Sequence, residues 1–336
     1  MGISRPTHQE TQHLVRQRGG EMGSLGAGLS TEQRYLFDVR GYVILRHVLS
    51  PEECKELHDA IDANADAFHE RTGNLMNSTQ PPFVTDSLKG RLDCGTMLHW
   101  SKPYCDVFRR LLTHPNVVPA LVDVCGPGFR LDHLPLCVQQ RRGVEGFDLH
   151  GGNLDASGNY NEHLAYTFKY GQMKCRLVNC TFQLTRVDAG DGGFAIIPGS
   201  HKANYPLPPG IANGSFTNGG EPLLEQPVVE QGDVILFSEG TSHGALPWRG
   251  AADVRRVVFY RYAPGGVAYG RGYLDRFLDE AFLSELTPQQ RAVLAPPYHS
   301  RLERPLLGKD AQTLTEVPRP AHKKAFDEKL FGYPYF

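Results

Sequence analysis

Gly232-Asp233-Val234-Ile235-Leu236-Phe237, followed by Thr241-Ser242-His243-Gly244 and then by Arg255-Arg256-Val257-Val258-Phe259-Tyr260-Arg261-Tyr262, is the stretch that decides the fold. Its β-branched and aromatic runs, parted by Gly, Asp and Ser, read as neighbouring short strands. Upstream, Arg130 to Gln140, Phe147 to His150, Leu177 to Val187, Gly193 to Ile197 and Pro227-Val228-Val229 have the same character. Many short strands separated by Gly, Pro, Asp and Asn turns predict an antiparallel sandwich or jelly roll.

Helical signals lie on the flanks of this β region. Ser30-Thr31-Glu32-Gln33 caps a short helix ending near Gly41, and Tyr42 to Leu45 follows as a strand. Ser50-Pro51-Glu52-Glu53 combines an N-cap, a proline in the first turn and a capping-box glutamate, with Cys54, Leu57, Ile61 and Ala65 on one face. Val107 to Leu112 and Val117 to Val122 look helical on either side of His114-Pro115. Near the end, Leu274 to Leu286 and Pro288 to Leu294 form a helix pair, with Thr287 as a cap.

The expected organisation is a flexible tail over 1–28 and one domain over 29–336, with an irregular loop insert at 202–226 and a C-terminal helical extension. At 336 residues and 40% hydrophobic content, the chain can bury a substantial core. Lys+Arg 35 against Asp+Glu 37 gives no basic field to attract a nucleic-acid polymer or an anionic membrane. Seven scattered cysteines without a C-x-x-C pair fit reduced, packed thiols. No signal core or run of 18 apolar residues is present, and Pro6 spoils the myristoylation pattern begun by Met1-Gly2, so a cytoplasmic location is expected.

Leu149-His150-Gly151-Gly152-Asn153 carries the chemical signal. On a strand, residues i and i+2 share a face, so His150 and position 152 would look the same way, and His243 from a later strand could join them. Asp or Glu at 152 would complete the two-histidine, one-carboxylate triad of non-haem iron sites, but glycine offers no ligand. Chloride in place of the carboxylate would preserve the charge count, and glycine would clear space for it. Asp148, two residues before His150, and Asp155 in the following loop are alternative carboxylates, and water is a further way to fill the gap.

Asp191-Gly192-Gly193-Phe194-Ala195-Ile196-Ile197-Pro198-Gly199-Ser200-His201-Lys202, taken in order with the opening stretch and with Phe37-Asp38-Val39-Arg40-Gly41-Tyr42-Val43-Ile44, resembles the phytanoyl-CoA dioxygenase family over roughly residues 31–265. The resemblance implies a double-stranded β-helix, or jelly roll, with packed outer helices, and the use of Fe(II), 2-oxoglutarate and O2. It implies iron ligation by His150 and His243, and pairing of the distal carboxylate of 2-oxoglutarate with Arg255 rather than the adjacent Arg256. His201 is then a turn residue. Thr181 and Gln183 are candidates for the co-substrate pocket.

At Gly152 the chain departs from that family and looks like the 2-oxoglutarate-dependent halogenases, in which chloride takes the vacant position. That likeness implies an Fe(IV)-oxo species abstracting an aliphatic hydrogen, with chloride rebound to the radical. The alternatives are a hydroxylase of the same family and a non-catalytic small-molecule-binding protein. Arg142, Lys174 and Arg176, with Phe147 to stack on a ring, mark a small-molecule substrate that is phosphorylated, such as a nucleotide, or another natural-product precursor.

Overall fold

The strand carrying the two arginines runs from Val254 to Ala263, and its alternation sets the architecture. Arg255, Val257, Phe259 and Arg261 point one way, while Arg256, Val258, Tyr260 and Tyr262 point the other. In the computed structural model, which describes residues 27–333 except 77, 156, 214–216, 220, 271–278 and 299–302, this strand is β15.

The preceding strands are β1 (Tyr42–Leu45), β2 (His69–Glu70), β3 (Leu92–Cys94), β4 (Arg130–Leu131), β5 (Leu136–Arg141), β6 (Phe147–His150), β7 (Tyr166–Lys169), β8 (Gln172–Cys175), β9 (Val178–Gln183), β10 (Gly193–Ile196), β11 (Thr217–Asn218), β12 (Glu221–Pro222), β13 (Val234–Ser238) and β14 (His243–Leu246). The large sheet runs β1-β13-β9-β15-β5-β3-β2, with β4 also on β15; the small sheet runs β10-β14-β6. Their pairings are antiparallel. Two facing antiparallel sheets with helices outside make an α+β, mainly β, jelly-roll core.

The helices α1 (Thr31–Arg40), α2 (Pro51–Ala63), α3 (Tyr104–Leu111) and α4 (Val118–Cys125) are those the sequence predicts, and the first two carry full capping boxes at Ser30/Gln33 and Ser50/Glu53. The outer face of the large sheet, including Val178, Cys180, Phe182, Val234, Leu236 and Val258, packs in one core with Leu57, Ile61, Phe108, Leu111 and Leu121 of these helices. Tyr260 donates its hydroxyl to Phe108 O at 2.7 Å, tying β15 to α3. At roughly 1.5–3 kcal/mol per fully buried large apolar side chain, this layer supplies much of the driving force for folding. The inner face is therefore free to carry polar groups.

Several expectations need correction. The run Arg130 to Gln140 breaks into β4 and β5, because Asp132-His133-Leu134-Pro135 lies between them and proline has no amide for the ladder. Pro227-Val228-Val229 forms only a bridge between Val229 and Val187. The 202–226 insert is not wholly irregular: it contains the short helix α5 (Pro209–Ala212) and the β11–β12 pair. A β7–β8 hairpin turning at Tyr170-Gly171 was not expected.

Near the C-terminus, α6 (Glu280–Ser284) is shorter than its predicted span, part of which lies outside the described residues; α7 (Pro288–Leu294) has the Thr287 cap, and α8 (Ala321–Phe331) is additional. The expected tail falls almost entirely outside the described residues. All seven cysteines are buried and free. No described helix is long and apolar enough to cross a membrane.

Candidate metal centre

Between the sheets lies a cavity of about 630 Å³, its open mouth included. Val138 and Gln140 of β5, Asn179 of β9, and Arg255, Phe259 and Arg261 of β15 line it from the large sheet. Phe147 and His150 of β6, Phe194 of β10, and His243 of β14 line it from the small one. The two histidines are direct cross-strand partners on β6 and β14, with ring centroids 4.2 Å apart.

Each imidazole is oriented by its own backbone. His150 Nδ1 lies 3.1 Å from Asp148 O, and His243 Nδ1 lies 2.7 Å from Thr241 O. A carbonyl accepts only, so Nδ1 carries the hydrogen in both rings and Nε2 keeps its lone pair. Burial, reinforced by the neighbouring His243, pushes the His150 imidazole down to about 3, and burial likewise lowers His243. Both rings are therefore neutral near pH 7, the form that ligates metal.

The third member of the cluster is Glu239, on the turn between β13 and β14 and four residues before His243. Its Oε1 is 3.8 Å from His243 Nε2, and the ligand atoms of His150, Glu239 and His243 all lie within 4.8 Å of one another. Two bonds of about 2.0–2.2 Å span up to about 4.4 Å, so the set is close to ligating distance around one ion. Oε2 accepts a hydrogen bond from Asn179 Nδ2 and lies 3.9 Å from Arg261 Nε. Burial opposes the carboxylate's charge, but His243, Arg261, His150 and the Asn179 hydrogen bond together keep its pKa below the ordinary glutamate value. The donor set fits a divalent metal: two neutral nitrogens, one anionic oxygen and an open cavity.

The other carboxylates are engaged elsewhere. Asp148 accepts from the Thr79 amide and hydroxyl, and Asp155 caps its own loop through Ser157 and Asn159. Position 152 does not share the strand face of His150, because β6 ends at His150 and both Gly151 and Gly152 have left-handed backbones, with φ of 85° and 100°. The alternation of faces stops where the strand does. A Cβ at Gly152 would point toward Ser242 Oγ at 3.6 Å and Leu154 O at 3.7 Å.

At the far end of the cavity stands Arg255, 3% exposed, with burial and the neighbouring Arg91 lowering its pKa to about 10. Its Nε has no hydrogen-bond partner, and no ion pair to it is found among the described residues. Gly193 makes room for it: a Cβ there would fall 2.6 Å from Nε. A buried guanidinium without a counter-ion costs stability, so this end is built for an anion. Arg256, on the opposite face, bonds Gln139, His58 and Asp62. Thr181 and Gln183 share the inner face with Asn179 but bond each other, Gln183 Nε2 to Thr181 Oγ1 at 2.9 Å, and do not line the cavity.

Of the expected substrate residues, only Phe147 lines the cavity. Arg142 bonds Ala251 O and pairs with Asp253, Arg176 pairs with Glu162, and Lys174 lines a separate groove with Asp123 and Lys309. Nearness to His150 in sequence does not carry over, because the chain leaves the site after Gly152 and the β7–β8 hairpin forms a sheet of its own away from the cavity. His201 is buried, with Nε2 2.9 Å from Asp38 O, in a structural turn.

The sequence profile of the family described as phytanoyl-CoA dioxygenase (PhyH) matches residues 37–257. Among solved structures, HygX from Streptomyces hygroscopicus with nickel and 2-oxoglutarate bound is similar at a TM-score of 0.53 and 24% identity, covering 70% of this chain and 88% of that one. The non-heme alpha ketoglutarate dependent carbocyclase SnoK from nogalamycin biosynthesis has a TM-score of 0.50 at 15% identity, covering 82% and 96%. No curated protein sequence matches the chain.

Proposed function

Because this chain belongs to the phytanoyl-CoA dioxygenase family of iron/2-oxoglutarate-dependent oxygenases, we propose that it oxidises an aliphatic C–H bond of a small molecule, with His150, Glu239 and His243 holding Fe(II). The observation that carries this reading is the Glu239 carboxylate, held beside two imidazoles whose Nε2 lone pairs are free. When bound with 2-oxoglutarate and O2, the metal supplies the oxidising power that side chains lack.

The chain's own residues do the rest. The Asp148 and Thr241 carbonyls fix the imidazole orientation, and Asn179 fixes the carboxylate. Arg255 pairs with the distal carboxylate of 2-oxoglutarate through its planar fork. Phe147, Phe194, Phe237 and Phe259 keep the cavity apolar and limit water around the reacting carbon.

A halogenase is the second reading, and the glycine at position 152 is what favours it. Glu239 weakens that case, because a carboxylate from the β13–β14 turn can take the position that chloride would otherwise fill. Anaerobic addition of Fe(II) and 2-oxoglutarate should produce a visible charge-transfer band in the wild type that Glu239→Ala loses. Admission of O2 should then yield succinate. Products formed in chloride and in bromide should be identical by mass spectrometry; a halogen isotope pattern would overturn the oxygenase reading in favour of the halogenase.

A further inference from the structure

Arg261 is a cavity cation beside the proposed metal cluster that the iron and 2-oxoglutarate chemistry leaves unused. It shares the inner face of β15 with Arg255, six residues along the strand, which is roughly 20 Å at about 3.3 Å per residue. The two arginines stand at different ends: Arg255 beside Arg91, and Arg261 beside Glu239. A co-substrate reaching from the metal toward Arg255 extends away from Arg261.

Charge accounting makes the leftover group specific. Resting on the proposed iron and 2-oxoglutarate reading, Fe(II) and Arg255 together balance Glu239 and the co-substrate dianion. Arg91 shares Asp93 with Arg71, the carboxylate accepting from Arg91 Nε at 2.9 Å, and it stands beside Arg255 at the other end of the cavity. Among the described residues Arg261 then has only Glu239 Oε2 as an ionic partner, at 3.9 Å and beyond hydrogen-bonding distance, and on the proposed reading that carboxylate also serves the metal. Its guanidinium is 22% exposed and lies over the Phe259 ring. Apart from Glu239, which meets the histidine pair from the β13–β14 turn, no carboxylate is among the described side chains lining the cavity.

From this we infer that the substrate is a small organic acid whose carboxylate pairs with Arg261, placing its aliphatic portion against the phenylalanine-lined wall. One guanidinium balances a single negative charge and matches a carboxylate in two-point geometry. A phosphate monoester, at about −1.5 to −2 near neutral pH, would need a second cation. Arg142, Lys174 and Arg176 do not line the cavity, and Arg91, which does, stands beside Arg255 rather than beside Arg261.

The test uses the full chain loaded with Zn(II) and 2-oxoglutarate, which cannot turn over, and calorimetric titration with straight-chain and phenyl-terminated monocarboxylates of two to ten carbons, each paired with its neutral amide. At least one acid should bind tenfold or more tightly than its amide. Arg261→Gln should erase that preference, and Arg261→Lys should retain part of it, with zinc content and 2-oxoglutarate affinity unchanged. Equal binding of acids and amides, binding of no acid, or a preference that survives Arg261→Gln would overturn the inference. So would loss of 2-oxoglutarate binding in Arg261→Gln, which would put the co-substrate at Arg261. Failure of the wild type to retain zinc would instead count against the metal reading on which the inference rests.

Discussion

Glu239 places its Oε1 3.8 Å from His243 Nε2, across one turn of chain, while its other oxygen is held by Asn179 from a different strand. The carboxylate is thus fixed on both sides, one oxygen by the protein and the other facing the histidine pair. Replacement of Glu239 by Ala should lower affinity for Co(II), used as a spectroscopic substitute, by more than the roughly 10–100-fold typical of losing a supporting hydrogen bond. A titration followed by visible absorption checks this; unchanged affinity would remove Glu239 from the ligand set.

Asn179→Ala should leave the fold intact and weaken metal binding by about 10–100-fold, the effect of freeing a ligand from its orienting partner. Unaltered circular dichroism with a shifted Co(II) titration midpoint is the expected pair of results. An equal loss of folding stability and metal affinity would mean that Asn179 serves only the sheet.

Gly152→Asp should destabilise the protein by about 1–3 kcal/mol, because a side chain at a left-handed φ is strained. It should not restore metal binding to a Glu239→Ala background. Denaturant unfolding and Co(II) titration of the single and double variants measure both effects, and rescue in the double variant would locate the carboxylate position at residue 152 after all.

Arg255→Gln should raise the dissociation constant for 2-oxoglutarate by about 100-fold, equivalent to about 2.7 kcal/mol, whereas Arg256→Gln should leave it within about twofold. In the absence of co-substrate, Arg255→Met should match or exceed the wild type in melting temperature, since it removes a buried cation without a partner. A marked fall in melting temperature would show that Arg255 stabilises the fold by itself.

The metal-free protein should lose stability as pH falls from about 6.5 toward 3. His150 has a folded-state pKa of about 3, below its unfolded value of 6.5, so the unfolded chain takes up a proton that the native state refuses. His243 and Glu239 are lowered in the same direction. Melting temperatures across this range should decline for the wild type and decline less for His150→Phe; parallel curves would mean that His150 is protonated at its ordinary pKa.

Much of the fold is legible along the chain because jelly-roll strands are short local patterns. Capping signals at Ser30 and Ser50, the Phe147–His150 strand and the Arg255–Tyr262 span of β15 all follow from spacing and residue type. The identity of the histidine pair is legible too, since each lies on a recognisable strand. Glu239 is not, because Phe237-Ser238-Glu239-Gly240 reads as a strand running into a turn, and nothing local says that the turn folds back over the cavity. Sequence alone determined the strand-rich core and set His150 and His243 on recognisable strands, because alternation along a strand is a property of consecutive residues, whereas the preference for Arg255 over Arg256 came from the family resemblance. Only tertiary structure decided which carboxylate meets the histidines and which cations line the cavity, because those groups come from the β13–β14 turn, from β15 and from Arg91 just before β3, and folding sets their distances.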